Sequence, residues 1–466
     1  MSKKHSTDEL LGQLPIGQSI TKLAIPAIVA MLIMAMYNFV DTLFIGMLNS
    51  DEALAAVSVA FPIMTLMSAL GQVMGAGSAA VIGRAFGYGD DDYASKTATT
   101  IIFSSILVAI IFMTIGLVFS EQVFTLFGAT ERVMPYAKQY GSWMFIGAIF
   151  SIPNQCFNNI ARAETKAVLS ATALMTGAIT NIILDPIFMF QFDVFGIEIG
   201  LGMGLVGASM ATTLSQMISF IFLAQFFFRG KSKVRILPTN FKPSKRIYSE
   251  TVKSGAPIGT TQLLSAIAVS VTNVLSVKFA PDSITGDNFI AAYGVVLKIL
   301  SIIQFTTIGF LQGYQPIASY SYGAKNKQRF FASYRFTKRL MLAYSIFATI
   351  VVQIFSTNII MAFSSNPKII EYGARLLVFN NIFCVLTSYC FLIMLTSQAT
   401  GNGKLGSIIA FSRQGILYIP ALILYPTILG FSGIFYAQAT ADLITFIIAA
   451  IAFMKYLKIL DKHFVQ

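Results

Sequence analysis

LAIPAIVAMLIMAMYNFVD, residues Leu23–Asp41, is the stretch on which the fold turns. Its first 18 residues carry no charge, and it ends on an aspartate. A helix needs about 20 mostly apolar residues to cross a bilayer. The run does not alternate polar and apolar positions as a transmembrane β-strand would. Comparable charge-free windows follow at Ala53–Gly83, Thr97–Ser120, Gln139–Ala161, Ala167–Leu184 and Ile199–Phe228, then at Ser254–Val277, Ile299–Ala324, Leu340–Pro367, Leu376–Gly403 and Gln414–Ala441, with a last run from Leu443 to Met454. The expectation is an all-α polytopic membrane protein with 12 spans.

Composition supports that reading. Of 466 residues 11% are charged and 56% hydrophobic, against roughly 25% and about 45–50% in soluble domains. So few charges cannot cover a soluble protein of this size, and so many apolar residues exclude disorder. The three cysteines form no paired motif, and His5 and His463 lie in the tails, which disfavours a histidine metal site. No cofactor and no enzymatic activity are expected.

Lysine and arginine fall at every second boundary, with 25 of 32 on one side of the predicted topology. They crowd the loop Arg229–Lys253, whereas Asn49–Glu52 and Gln191–Glu198 are acidic or uncharged. The positive-inside rule then makes both termini cytoplasmic, with the first span retained rather than cleaved. The net charge of +12 is explained by this topology and by anionic lipid, not by nucleic acid.

The basic loop also divides the chain. The expected organisation is a tail at 1–17, a six-helix lobe at 18–228, a linker at 229–250, a second lobe at 251–458 and a tail at 459–466. At an offset of 236, Gly77 falls on Gly313, Gly87 on Gly323 and Tyr136 on Tyr372, and RAFGYGD at 84–90 aligns with YSYGAKN at 320–326. ARAETK at 161–166 aligns with QATGNGK at 398–404 if one residue is inserted. Six spans per half implies a parallel repeat, and transporters commonly bind substrate between repeats.

Ionisable groups inside spans are costly and mark function by default. Tyr37 and Asp41 are four apart, as are Asn181 and Asp185, so each pair shares a helix face. Asp41 lies 19 residues beyond Lys22 and Asp185 lies 19 beyond Lys166. Both are therefore ~28 Å from the cytoplasmic boundary at ~1.5 Å per residue. Either aspartate alone could simply end its helix; the paired spacing and equal depth favour a site. Asn38 and Asn154 are further candidates for a substrate cavity. Lys298, Arg413 and Asp442 are buried ionisables of the second half, expected to neutralise one another in part or to contact substrate. The string GMGLVG at 202–207 fits a nucleotide-binding pattern, which would require a preceding strand and a cytoplasmic location; it opens the sixth span on the outer side, so close helix packing is the better reading.

The strings Tyr37-Asn38-Phe39-Val40-Asp41, Gly83-Arg84-Ala85-Phe86-Gly87, Ala161-Arg162-Ala163, Asn181-Ile182-Ile183-Leu184-Asp185-Pro186, Gly207-Ala208-Ser209-Met210-Ala211-Thr212 and Ser412-Arg413-Gln414 together resemble the multidrug and toxic compound extrusion (MATE) family. The likeness runs from about Gly17 to Lys458 and is to the bacterial branch typified by the DNA-damage-inducible protein F and a staphylococcal multidrug exporter. It implies two six-helix lobes around a V-shaped cavity, a monomer in the bacterial cytoplasmic membrane, and export of small cationic or amphiphilic compounds against H⁺ or Na⁺. Carried over by motif, the coupling residues are Tyr37, Asp41, Asn181, Asp185 and Thr212, with any Na⁺ held at Asp41 and Asp185. Where the sodium-coupled branch has acidic residues in the seventh and tenth helices, this chain has Gln262, Ser265, Asn380 and Asn381. A lipid-linked oligosaccharide or lipid flippase of the same superfamily is the alternative function.

Overall fold

A computed structural model describes residues 7–48, 50–194, 197–230 and 232–465. Lys3, Lys4, His5, Asn49 and Lys231, which enter the charge reading, lie outside the described residues, as do two residues of the 191–198 loop.

The chain is almost wholly helical. The first half runs α1 (Thr7–Gly12), α2 (Ile16–Met47), α3 (Asp51–Tyr88), α4 (Asp91–Val118), α5 (Ser120–Leu126), α6 (Met134–Ala163), α7 (Ala167–Met189) and α8 (Gly204–Phe228). A short antiparallel hairpin, β1 (Phe192–Val194) and β2 (Ile197–Ile199), joins α7 to α8 and pairs Phe192 with Ile199. The second half runs α9 (Lys245–Phe279), α10 (Ser283–Gly323), α11 (Lys327–Met361), α12 (Pro367–Asn381), α13 (Cys384–Ala399) and α14 (Gly403–Ala410). A π-helix over Phe411–Tyr418 leads into α15 (Ile419–Leu429), and α16 (Gly433–Val465) ends the chain.

Among the described residues, nine helical segments are long and apolar enough to span a bilayer, or ten with the bent pair α12 and α13 counted as one span. The expected count of 12 is not reached on hydropathy, for two physical reasons. Gly403–Phe464 scores as one 62-residue segment, ~90 Å at a helical rise, although Gly430 interrupts it with a positive φ of 65°. α6 is made less apolar by Asn154, Asn158, Asn159 and Arg162, all buried, which lie along it. Protein groups meet part of that polarity: Arg162 donates to Asn159 and Ser170, and Ser170 to Asn158, while Asn154 Oδ1 and Asn158 Nδ2 are buried without a partner among the described residues.

The repeat is written in the backbone. Gly89 and Lys325 both adopt positive φ, 78° and 52°, and both end a helix that Asp90 or Asn326 then follows by capping the next one. Thr165 (φ 64°) and Gly401 (φ 80°) form the second such pair. In each case the N–H of the following residue reaches the carbonyl five back, as in Asp90 to Ala85 and Asn326 to Ser321, or Lys166 to Ala161 and Asn402 to Ser397. This is the Schellman geometry that closes a helix. Both pairs sit at the same offset of 236. The residue inserted between ARAETK and QATGNGK in the sequence alignment is therefore unnecessary at this turn: Thr165 matches Gly401 directly.

The chain forms two compact units, Val29–Gly255 and Met1–Ile28 with Ala256–Gln466. Helices α2 and α9 are thus each divided between units. In the first unit α3 packs on α4 and α6, and α8 on α6 and α7. Its core is built from residues such as Ile45, Ile63, Phe124, Phe145 and Leu205. There Gly77 of α3 lies so close to α9 that an added Cβ would stand 2.1 Å from the Thr251 carbonyl oxygen. In the second unit the equivalent Gly313 of α10 meets the start of α2, with an added Cβ 2.7 Å from the Ala24 Cβ. The same small-residue contact thus seats the opening turns of α9 and α2. In this second unit Arg329, 9% exposed, closes the amino-terminal segment. Its guanidinium donates to the carbonyls of Leu10 (3.2 Å), Leu11 and Leu14 (2.8 Å).

In the first unit, Glu164 anchors the segment that follows α8. Its carboxylate accepts from Ser232 Oγ (2.5 Å), the Val234 N–H (2.9 Å) and the Lys233 N–H (3.1 Å). Burial pushes this carboxyl above its usual 4.5, against the opposing pull of those donors. The ionised form is thus the costlier one when folded, so the group's contribution is full below 4.5 and is lost as pH rises through the elevated value. We expect the stability of wild type relative to Glu164→Gln to decrease between pH 4.5 and pH 8, read as the difference in Tm; a flat difference contradicts this account of the clamp.

Candidate functional site

The site grows out of α2 and α7. Tyr37 and Asp41 occupy one face of α2, and Asn181 and Asp185 one face of α7. Pro186 lies inside α7 and withholds the N–H that would bond the Ile182 carbonyl. Beyond it the chain is pinned by backbone bonds from Leu201 to Ile187 (2.8 Å) and from Met203 to Phe188 (2.8 Å). At Gly207 an added Cβ would stand 2.5 Å from the Phe188 carbonyl oxygen, so α8 can press against α7 only with glycine there. Close packing is thus what the GMGLVG string does, and it brings Thr212 of α8 to Asn181.

Asn181 and Asp185 are 1% and 0% exposed. Asn181 Nδ2 donates to Asp185 Oδ1 (3.0 Å) and to Thr212 Oγ1 (3.3 Å). Asp185 Oδ2 and Asn181 Oδ1 are buried with no hydrogen-bond partner among the described residues. Asp41 lies within electrostatic reach of Asp185. Tyr37 interacts with Asp41, Asp185, Tyr140 and Thr212. All five residues named from the sequence therefore meet in one unit. Beside them is a narrow cavity of about 20 Å³, lined in part by Tyr140, Ser209, Thr212 and Gln216, with room for one water.

Tyr140 of α6 completes the cluster and was not anticipated. It is 4% exposed and interacts with both aspartates. No local motif singles it out, because its partners lie on other helices. The set of carboxyl, amide and hydroxyl oxygens suits a proton or a hard monovalent cation. Among the described residues, no group of three or more His, Cys, Asp or Glu side chains could hold a metal ion.

The remaining candidates lie elsewhere. Asn38 is exposed on α2. Asn154 is buried and ties α6 to α8 by donating to Ser219 Oγ (3.0 Å). In the other unit Arg413 Nε donates to Asp442 Oδ1 (2.7 Å), which also accepts from Gln438 (2.8 Å). Lys298 is half-buried on α10.

The MatE family model matches residues 26–187 and again 262–424, so the second match begins 236 residues after the first. The multidrug export protein MepA of Staphylococcus aureus strain MRSA252 is 24% identical over 92% of this chain and 91% of its own length. MepA of Staphylococcus haemolyticus strain JCSC1435 is 25% identical over 90% and 89%. Among solved structures, a MATE protein in complex with MaL6 superposes with a TM-score of 0.90 at 22% identity, covering 98% of this chain and 100% of that one. An outward-facing multidrug resistance MATE transporter gives 0.89 at 23%, covering 99% and 100%. The fold is that of these transporters, and the two matched segments together make up well over half of the sequence: the chain belongs to the MatE family of multi-pass membrane transporters.

Proposed function

We propose that this protein is a cation-coupled multidrug exporter that carries small cationic or amphiphilic compounds out of the cell by alternating access. The observation that carries the proposal is the cluster of buried Asp185, Asn181 and Tyr140 with half-buried Asp41, Tyr37 and Thr212, which joins two carboxyl groups to acceptor oxygens left without partners. Two carboxylates in one low-dielectric site repel, so binding H⁺ or Na⁺ there is favoured over leaving both charged. An aspartate in water has a pKa of about 3.9, and burial beside a second carboxylate is how proteins make such a group carry protons near neutrality.

The coupling follows from the charge balance. With both carboxyls ionised the site attracts a cationic cargo. When H⁺ or Na⁺ enters from outside, that attraction falls and the cargo leaves. Break points for the accompanying motion are Pro26 in α2 and Pro186 in α7, since each removes a helix hydrogen bond. The setting is a monomer in the bacterial cytoplasmic membrane with both termini cytoplasmic. The relatives' name, multidrug export protein, agrees with the substrate class. A flippase for a pyrophosphate-linked lipid would need a strongly cationic site, whereas Arg413 is paired with Asp442.

Ethidium efflux from cells expressing the protein tests the proposal. Efflux should stop when an ionophore collapses the H⁺ or the Na⁺ gradient; efflux unchanged with both gradients collapsed contradicts coupling.

A further inference from the structure

The carboxy-terminal unit contains a cavity of about 180 Å³ that the coupling cluster does not use. Its wall includes Ser265 of α9, Asn381 of α12, Phe391 of α13, and Arg413 and Gln414 of the π-helix. A π-helical turn is wider than an α-turn and often marks functional sites; here two consecutive residues of it line the same cavity.

The polarity of the wall is specific. Arg413 is the one charged residue among those lining it. Its partner Asp442 is 2% exposed and stands behind it, engaging only Nε. Among the described residues, Nη1 and Nη2 make no hydrogen bond, although the side chain is only 13% exposed. A guanidinium has five N–H donors in a planar fork, and the four on Nη1 and Nη2 are left without a partner among the described residues at the cavity wall. The ring of Phe391 supports the guanidinium at 5.5 Å. Asn381 is 1% exposed, and its Nδ2 donor also lacks a partner. The wall thus offers surplus donors, one positive charge and one unpartnered acceptor, Gln414 Oε1, and among its described residues no carboxylate.

We propose that this cavity is a second ligand-binding site, which takes a small organic acid through its carboxylate. The carboxylate accepts from the Nη edge of Arg413 and from Asn381 Nδ2, and the apolar body lies along Phe391. Because Asp442 already pairs with Nε and offsets charge on Arg413, the site suits a monoanion rather than a pyrophosphate. The inference is independent of the coupling scheme, since binding is measured at equilibrium without a gradient.

Calorimetric titration of the purified full-length protein with benzoate, benzyl alcohol and benzylamine tests it. Benzoate should bind saturably and benzylamine should not, with benzyl alcohol at least tenfold weaker than benzoate. The double substitution Arg413→Gln with Asp442→Asn removes both charges and leaves neither orphaned; it should weaken benzoate at least tenfold. Should that variant not fold, Asn381→Leu carries the test, with benzoate weakened severalfold. Asp41→Asn should leave benzoate binding unchanged. Absence of saturable benzoate binding, equal binding of benzylamine, or indifference of benzoate to these substitutions in the cavity overturns the proposal.

Discussion

Asp41→Asn should reduce gradient-driven export to the level of vesicles lacking protein, while the purified variant keeps the wild-type Tm to within a few degrees. Asparagine preserves the shape of the side chain but can neither lose a proton nor attract Na⁺ with a full charge. The site would then remain in its neutral state, unable to alternate between holding a cation and holding cargo. Asp185→Asn should have the same effect on transport. Asp185→Ala differs, because it deprives Asn181 Nδ2 of its 3.0 Å acceptor in a fully buried place. One N–H of Asn181 then loses its acceptor while the other still reaches Thr212 Oγ1; an unmatched buried donor costs ~1–3 kcal/mol, so alanine should lower Tm where asparagine does not. Wild-type export rates in proteoliposomes containing Asp41→Asn would remove the carboxyl group from the mechanism.

Gly77→Val should prevent recovery of folded protein. The added Cβ would stand 2.1 Å from the Thr251 carbonyl oxygen, a backbone atom that cannot rotate away. Overpacked cores ordinarily lose about 1–3 kcal/mol, and a backbone obstacle puts this site at about 3 kcal/mol or more. Gly46→Ala is the control: nothing lies within 4 Å of its added Cβ, and alanine is favoured over glycine in helices by ~0.5–1 kcal/mol. The check is the monodisperse fraction after detergent extraction together with Tm. A Gly77→Val protein as stable as wild type would mean that α3 and α9 are not in the contact described.

How far the sequence reached depends on the range of the interaction involved. Uncharged runs such as Leu23–Val40 and Ala53–Gly83 are local, and they announce α2 and α3 directly. The turns at Gly89 and Lys325 were legible as a repeat because each depends on a few consecutive residues. Equal spacing from Lys22 and Lys166 pointed to one depth for Asp41 and Asp185, and Asp41 lies within electrostatic reach of Asp185. What stayed hidden depends on which helix neighbours which. Tyr140 reads as one more aromatic residue of α6 until α2 and α7 are folded against it. The division of α2 and α9 between units is equally silent, since an apolar helix face does not specify its partner. The π-helix at Phe411–Tyr418 has no compositional signature, whereas α6, polar as it is, was legible from its charge-free run Gln139–Ala161.

Cargo-induced cation release is the most direct measure of the central claim. Ethidium added to purified wild-type protein, in weakly buffered solution containing trace radioactive Na⁺, should displace either protons or Na⁺ in near-stoichiometric amount. The Asp41→Asn, Asp185→Asn double variant should release neither. Ethidium binding by wild type without release of either cation, or equal release from the double variant, would contradict competition between cation and cargo at these two carboxyls.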